Sequence, residues 1–334
     1  MIDQREQKEP VGGRTEAPTL LGQRDPFDHL GSLAGPSITG RPTVTGNAEH
    51  VIYHPVNFYP HGLGRTESES LPSNPGRWVS EPQAESHLAL KIAHPSPRAQ
   101  GQLTKEGGLL LRLNSLFDVN DHFRPVRLLG YGLTRGKMGE GLKGPYLILE
   151  YIGGQFIPVG DYLTRRKTLS ELEALELTSA IAKILVKVHK EGIVHGDLEG
   201  FQGDSLNNIF WNADTKQVRI IDWANSSDLE GKFARGSSYG FDRSALGKLL
   251  FRAITGEDFE DIRRSLGRGE SLRQHIYDAC GEKRAHSMGK VVSFMCGLIP
   301  SLQLDPMNKE DTPRLLSDSL FGLEEAMRSL RERY

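Results

Sequence analysis

The sequence predicts an α+β fold, and three observations carry that expectation. Apolar runs of strand length stand at residues 87–92, 145–152 and 218–221, and such runs bounded by turn signals read as buried strands. Ile209-Phe210-Trp211 and Val218-Arg219-Ile220-Ile221 flank the turn signal Asn212-Ala213-Asp214 and read as a hairpin. Ile181, Ile184, Leu185 and Val188 recur at helical spacing behind Ser170-Glu171-Leu172-Glu173. That stretch has capping-box spacing, in which the Ser hydroxyl and the Glu carboxylate satisfy open backbone N–H groups.

In chain order, residues 1–35 are polar, carry Gly and Pro and show no sustained period, which predicts a flexible N-terminal tail. Thr45-Gly46-Asn47-Ala48-Glu49-His50-Val51-Ile52-Tyr53 offers one glycine ahead of a strand-like run. His50, His54 and His61 have neither a cysteine nor regular ligand spacing, so no metal site is read from them. Residues 55–86 hold Pro, Gly, Ser and Glu clusters, including Thr66-Glu67-Ser68-Glu69-Ser70, and predict a long insertion before the next strand. That strand, 87–92, carries Lys91 inside an apolar run. Glu106 is the one acid between Lys91 and Asp118, and it stands just before Leu109-Leu110-Leu111-Arg112-Leu113. Gly107 and Gly108 follow it directly and each costs a helix about 1 kcal/mol against Ala. Pro145-Tyr146-Leu147-Ile148-Leu149-Glu150-Tyr151-Ile152 is a strand ended by Gly153-Gly154.

Residues 193–223 are the most informative stretch. Ile193-Val194 lead into His195-Gly196-Asp197, and residues 218–221 lead into Asp222, with Asn207-Asn208 between them. An Asp, an Asn and a second Asp are thereby held on neighbouring strands and the loop that joins them. Phosphoryl transfer from a nucleotide uses that set: one acid to orient the attacking hydroxyl, and an amide plus an acid to hold Mg²⁺.

These residues resemble the catalytic core of the protein-kinase-like superfamily, which includes protein kinases and aminoglycoside- or choline-type small-molecule kinases. The resemblance implies a two-lobed fold. Residues 36–152 would be a small antiparallel-sheet N-lobe with the insertion 55–86, and residues 153–334 a larger helical C-lobe. It implies Asp197 as catalytic base, with His195 in the same motif, and Asn208 and Asp222 as Mg²⁺ ligands, Asn207 being the alternative should the register shift by one. The run around Lys91 resembles the V-A-I-K strand whose lysine reaches the α- and β-phosphates. Glu106 would be its carboxylate partner, in a pairing that depends on closure or on a partner. The backbone around Glu150 and Ile152 would bond adenine, with Leu149 at the rear of the pocket. Gly46 and the backbone beside it would contact phosphate. Phe241-Asp242-Arg243-Ser244-Ala245-Leu246-Gly247-Lys248-Leu249-Leu250-Phe251-Arg252-Ala253-Ile254-Thr255-Gly256 closely resembles the central helix of protein kinases. The aspartate of that helix, here Asp242, would brace the catalytic loop by bonding its backbone.

The chain departs from the family's pattern in several places. Asn208 lies eleven residues past Asp197, so about six extra residues stand between Glu199 and Ser205. The phosphate loop has one glycine rather than three. Gly196 replaces the Arg that receives an activation-loop phosphate, so activity is expected without that phosphorylation. The segment 223–241 is short and lacks an A-P-E motif, and Glu199 replaces the lysine that follows the catalytic Asp by two residues.

Composition limits the rest. The 334 residues allow one two-lobed domain with tails, or two domains. A net charge of −2 gives no electrostatic footprint for nucleic acid or for an anionic membrane. No window of membrane-spanning length is wholly apolar, and the start, Met1-Ile2-Asp3-Gln4-Arg5-Glu6, lacks a signal-peptide core. Cys280 and Cys296 alone do not make a disulfide framework. The expected location is cytoplasmic, or inside a host cell reached without a cleavable signal. The resemblance implies an ATP- and Mg²⁺-dependent kinase acting on Ser/Thr of a protein substrate. The alternatives are an aminoglycoside-, choline- or sugar-like alcohol as acceptor, or a pseudokinase scaffold.

Overall fold

The computed structural model describes residues 43–46, 50–57, 77–78, 87–94, 96–133, 145–199, 206–228, 239–259, 261, 274, 278 and 313–332. The expected tail, most of the 55–86 insertion, the turn after Gly46, His61, the extra residues 200–205, both cysteines and most of the segment 223–241 lie outside the described residues.

One antiparallel sheet comprises β1 (Thr43–Gly46), β2 (His50–Asn57), β3 (Arg77–Trp78), β4 (His87–Ala93), β6 (Leu128–Leu133) and β7 (Pro145–Glu150), in the order β1-β2-β4-β7-β6-β3. Its centre is β4, paired with β2 through Ile52↔Lys91 and with β7 through Lys91↔Leu147. The period of two along β4 sends the buried Leu88, Leu90 and Ile92 to one face and Ala89, Lys91 and Ala93 to the other. Helix α1 (Pro97–Leu116) follows at once. Ser96 Oγ caps it by accepting from the Ala99 amide at 3.2 Å, and Pro97 opens the first turn. The helix runs unbroken through Gly107 and Gly108. Both are buried in its inner face beside Leu103, Glu106, Leu109, Leu110 and Leu113, so packing outweighs their poor propensity.

A second sheet runs β5-β11-β10-β8, from β5 (Phe123–Pro125), β8 (Ile157–Pro158), β10 (Ile209–Asn212) and β11 (Gln217–Ile220). The expected hairpin is β10–β11, in register Ile209↔Ile220 and Trp211↔Val218. Its turn is set by Asn212, whose Oδ1 accepts from the amides of Asp214 and Thr215, each at 3.1 Å. The parallel pairing of β11 with β5 gave no sign in the sequence. A two-stranded ribbon joins β9 (Ile193–Val194) to β12 (Ser227–Asp228).

The helical part holds α2 (Val159–Arg166), α3 (Glu171–Lys190), α4 (Tyr239–Thr255) and, C-terminally, α5 (Pro313–Arg331). Apart from Val186, half-buried against the core, the apolar residues of α3 from Leu175 to Val188 are buried, and α4 and α5 pack on it. The expected capping box is half made. Ser170 Oγ accepts from the Glu173 amide at 3.3 Å, but the Glu173 carboxylate takes the Tyr162 hydroxyl and lies 3.5 Å from Arg166 instead of returning to the cap. Burial first, then the Glu173 bond, push the Tyr162 phenol up to about 12. Among the described residues no helix is long and apolar enough to cross a membrane.

Candidate active site

Lys91 joins three parts of the molecule. Its ammonium, on the inner face of β4, donates to Glu106 Oε2 of α1 at 2.7 Å and to Asp222 Oδ1, just past β11, at 2.8 Å. Lys91 and Glu106 are 4% and 1% exposed, so the bond between them lies in a low-dielectric setting. Burial alone would lower the Lys91 ammonium, but the charges of Glu106 and Asp222 outweigh it and raise the group. The pairing that the glycines put in doubt is therefore made within this chain. Two carboxylates share one ammonium and leave an excess negative charge. Burial first, and then the nearby Asp222, lift the Glu106 carboxyl above the usual range against the pull of Lys91.

Asp222 stands where strand becomes turn. Its φ of 59° and ψ of 67° place it in the left-handed region, at the start of a 3₁₀ turn, Trp223–Asn225. Asp and Asn tolerate that conformation better than most residues. Trp223 anchors the turn: it is fully buried, donates from Nε1 to the Ile220 carbonyl at 3.2 Å, and meets the His195 ring edge-on at 4.6 Å. Beyond the turn, Lys105 of α1 donates to the Ser226 carbonyl, and Ser226 Oγ donates to the His195 carbonyl at 3.2 Å.

The His195–Asp197 loop is braced from beneath. Asp242, buried in the first turn of α4, accepts from the amides of His195 and Gly196 at 2.9 and 2.8 Å and from His189 Nε2 at 2.8 Å. Burial would raise this carboxyl. The His189 hydrogen bond and the His189 and His195 rings, with the Gly196 amide, outweigh burial and hold it below the ordinary value. His195 Nε2 lies 2.9 Å from the Ile221 carbonyl and its Nδ1 lies 3.2 Å from the Asp197 amide. A carbonyl only accepts and an amide only donates, so the ring is the neutral Nε2–H tautomer. His195 thus links the loop to the end of β11.

The long spacing between Asp197 and Asn208 does not separate them. The Leu206 amide donates to the Glu199 carbonyl at 3.1 Å, closing the base of the extra residues. Asn208 Nδ2 then donates to the Asp197 carbonyl at 2.7 Å, and the Asn208 carbonyl accepts from the Ile221 amide at 2.9 Å. Asn208 is therefore beside Asp222 across the hairpin. With its amide nitrogen engaged, its Oδ1 has no donor among the described residues. That oxygen and the part-exposed Asp222 carboxylate are hard donors of the kind Mg²⁺ takes, and the excess negative charge suits a cation. Asn207, the alternative, is exposed and points to neither acid by any described bond.

Leu149 is buried at the end of β7. Glu150 differs from a simple hinge residue. Its amide donates to the Arg127 carbonyl at 3.0 Å, so it is not open to a ligand. Its carboxylate receives Arg124 Nη2 at 2.8 Å and the Arg127 amide at 3.1 Å, and Arg219 of β11 lies 3.9 Å away. Burial and the neighbouring Arg124 lower Arg219 to about 10. Among the described residues the Ile152 amide has no backbone partner. Gly46 ends β1, paired with Val51, and the turn beyond it lies outside the described residues. The sequence did not point to Asn225, Lys105, Arg124, Arg219 or Lys248, which pairs with Glu199 at 3.3 Å. Each acts through a partner far along the chain, and no local spacing marks it.

No family model matches this chain. The serine/threonine-protein kinase ppk25 of Schizosaccharomyces pombe is 32% identical over 83 residues, which is 25% of this chain. The match spans 18% of that relative's length. It suggests a kinase-like relationship, and the mixed fold of small sheets and helices is compatible with one.

Proposed function

We propose that this chain is an ATP- and Mg²⁺-dependent phosphotransferase with a two-lobed kinase-like fold, acting on a hydroxyl of a protein Ser or Thr. The observation that carries the reading is the Lys91 ammonium held between Glu106 and Asp222, with Asp197 and Asn208 on the adjoining loop and strand. Lys91 holds the α- and β-phosphates, Glu106 fixes Lys91, and Asp197 orients the acceptor hydroxyl and takes its proton. Asp222 Oδ and Asn208 Oδ1 would hold Mg²⁺, which when bound neutralises charge on the β- and γ-phosphates. Adenine lies against Leu149 and bonds backbone at Ile152 and the Glu150 carbonyl. Most of the rate gain comes from positioning and charge neutralisation.

The test is a thermal shift with Mg-ATP together with transfer from radiolabelled ATP to a protein mixture and to a metabolite pool. The expected result is a shift and labelled protein, both lost in Asp222→Asn, with the label alone lost in Asp197→Ala. No shift and no label would leave a scaffold. A second acceptor class, a small-molecule alcohol, is favoured by Gly196 before Asp197 and by the Asp222-Trp223 pair. Label in the metabolite pool rather than in protein selects it.

A further inference from the structure

Asp197 is gripped at two points by residues distant from it in sequence. Its backbone carbonyl accepts Asn208 Nδ2 at 2.7 Å, and its carboxylate Oδ2 accepts Asn225 Nδ2 at 2.9 Å. Its Oδ1 takes no hydrogen bond among the described residues. Asn225 is exposed, but the turn that carries it is fixed. Trp223 is buried beneath it, the Ser226 amide donates to the Trp223 carbonyl at 3.2 Å, and Ser226 is tied to His195 and Lys105. A surface amide is thus delivered to the carboxylate by a buried support. An amide that donates to one carboxylate oxygen selects the side-chain rotamer and occupies that oxygen.

We infer that Asn225 is a positioning residue for phosphoryl transfer, holding Asp197 by Oδ2 so that Oδ1 faces the acceptor hydroxyl. This rests on the function proposed above. In the step it serves, the hydroxyl oxygen bonds the γ-phosphorus, the bond from the γ-phosphorus to the bridging oxygen breaks, ADP leaves with that electron pair, and the hydroxyl proton passes to Oδ1. Asn225 lies three residues past Asp222 in the same turn, so the acid that would hold the metal and the acid that meets the acceptor are set by one piece of backbone.

The experiment compares wild type, Asn225→Ala and the isosteric Asn225→Asp for transfer from radiolabelled Mg-ATP to casein, to a mixed protein extract and to a metabolite pool. It measures kcat, KM for ATP and melting temperature. Asn225→Ala should lower kcat about tenfold to hundredfold, the range of a lost hydrogen bond to a charged group, with KM for ATP and melting temperature unchanged. Asn225→Asp should lower kcat further, because it sets a carboxylate against Oδ2 while keeping the size of the side chain. A purely structural role would move the melting temperature and not separate Asp from Ala. Wild-type kcat in both variants, with transfer still lost in Asp197→Ala, overturns the inference and leaves the function standing. No transfer to any acceptor by the wild type overturns both.

Discussion

At the scale of single residues, Asp242 shows how a buried charge becomes a support. Three donors converge on it, and truncation to Ala would leave the His195 and Gly196 amides and the His189 ring without an acceptor. Of these, the His195 amide and the His189 ring are buried, and each buried donor left open costs about 1–3 kcal/mol, so Asp242→Ala should lower unfolding free energy by at least about 2 kcal/mol in a guanidinium titration. The same carboxylate makes stability depend on acid. Its folded pKa lies below its unfolded one, so it stabilises the fold above the ordinary Asp value of about 3.9 and that contribution fades as pH falls through the lower, folded value. Wild type should lose melting temperature in that acid window more steeply than Asp242→Asn, and parallel curves would contradict the assignment. Asp222 makes a conformational demand as well as a chemical one. With φ at 59°, Asp222→Val should cost about 1–2 kcal/mol more than Asp222→Asn, because a β-branched residue resists the left-handed region; equal melting temperatures for the two variants would refute this.

Among the elements, local pattern and tertiary override divide cleanly. The hairpin, helix α3 and the strand bearing Lys91 were legible because each repeats at its own period and has turn or cap residues at its ends. The capping box at Ser170 was legible only in its first half, because Tyr162 and Arg166 drew Glu173 away. Around helix α1 the sequence offered Glu106 and the Leu109–Leu113 run with two poor helix residues between them, and the helix in fact runs from Pro97 through both, since the cost of two glycines is a local quantity and their burial is not. The end of α4 is a further demand on one residue. Gly256 has φ of 77°, and a Cβ there would stand 2.9 Å from the Lys167 carbonyl. Gly256→Ala should therefore destabilise the protein by about 1–2 kcal/mol, and a variant as stable as wild type would show that α2 and α4 can move apart.

For the whole molecule, the sequence joined Lys91 to Glu106 and Asn208 to Asp222 only through the family resemblance, and the fold shows the contacts that link Lys91 with Glu106 and Asp222 and Asn208 with Asp197. The link from Lys91 to Asp222 crosses 131 positions, a separation on which no periodicity reports. The Arg124–Glu150 pair was invisible for the same reason. The central join also carries a stability prediction. Lys91→Met leaves Glu106 buried and unpaired and should cost about 3–5 kcal/mol. The double variant Lys91→Met with Glu106→Gln removes that stranded charge and should be less destabilised than the sum of the singles, read from a double-mutant cycle of denaturation midpoints. Strict additivity would mean that the two side chains act independently.

The closure between Glu199 and Leu206 has a consequence for how this chain can be handled at the bench. Because the Leu206 amide bonds the Glu199 carbonyl at 3.1 Å, the two points between which residues 200–205 run are held together beside Asp197 and Asn208. Doubling a loop costs only about 0.6 kcal/mol in closure entropy. An epitope or a dye-bearing peptide spliced there should be carried with little loss of melting temperature, placing a label next to Asp197 and Asn208.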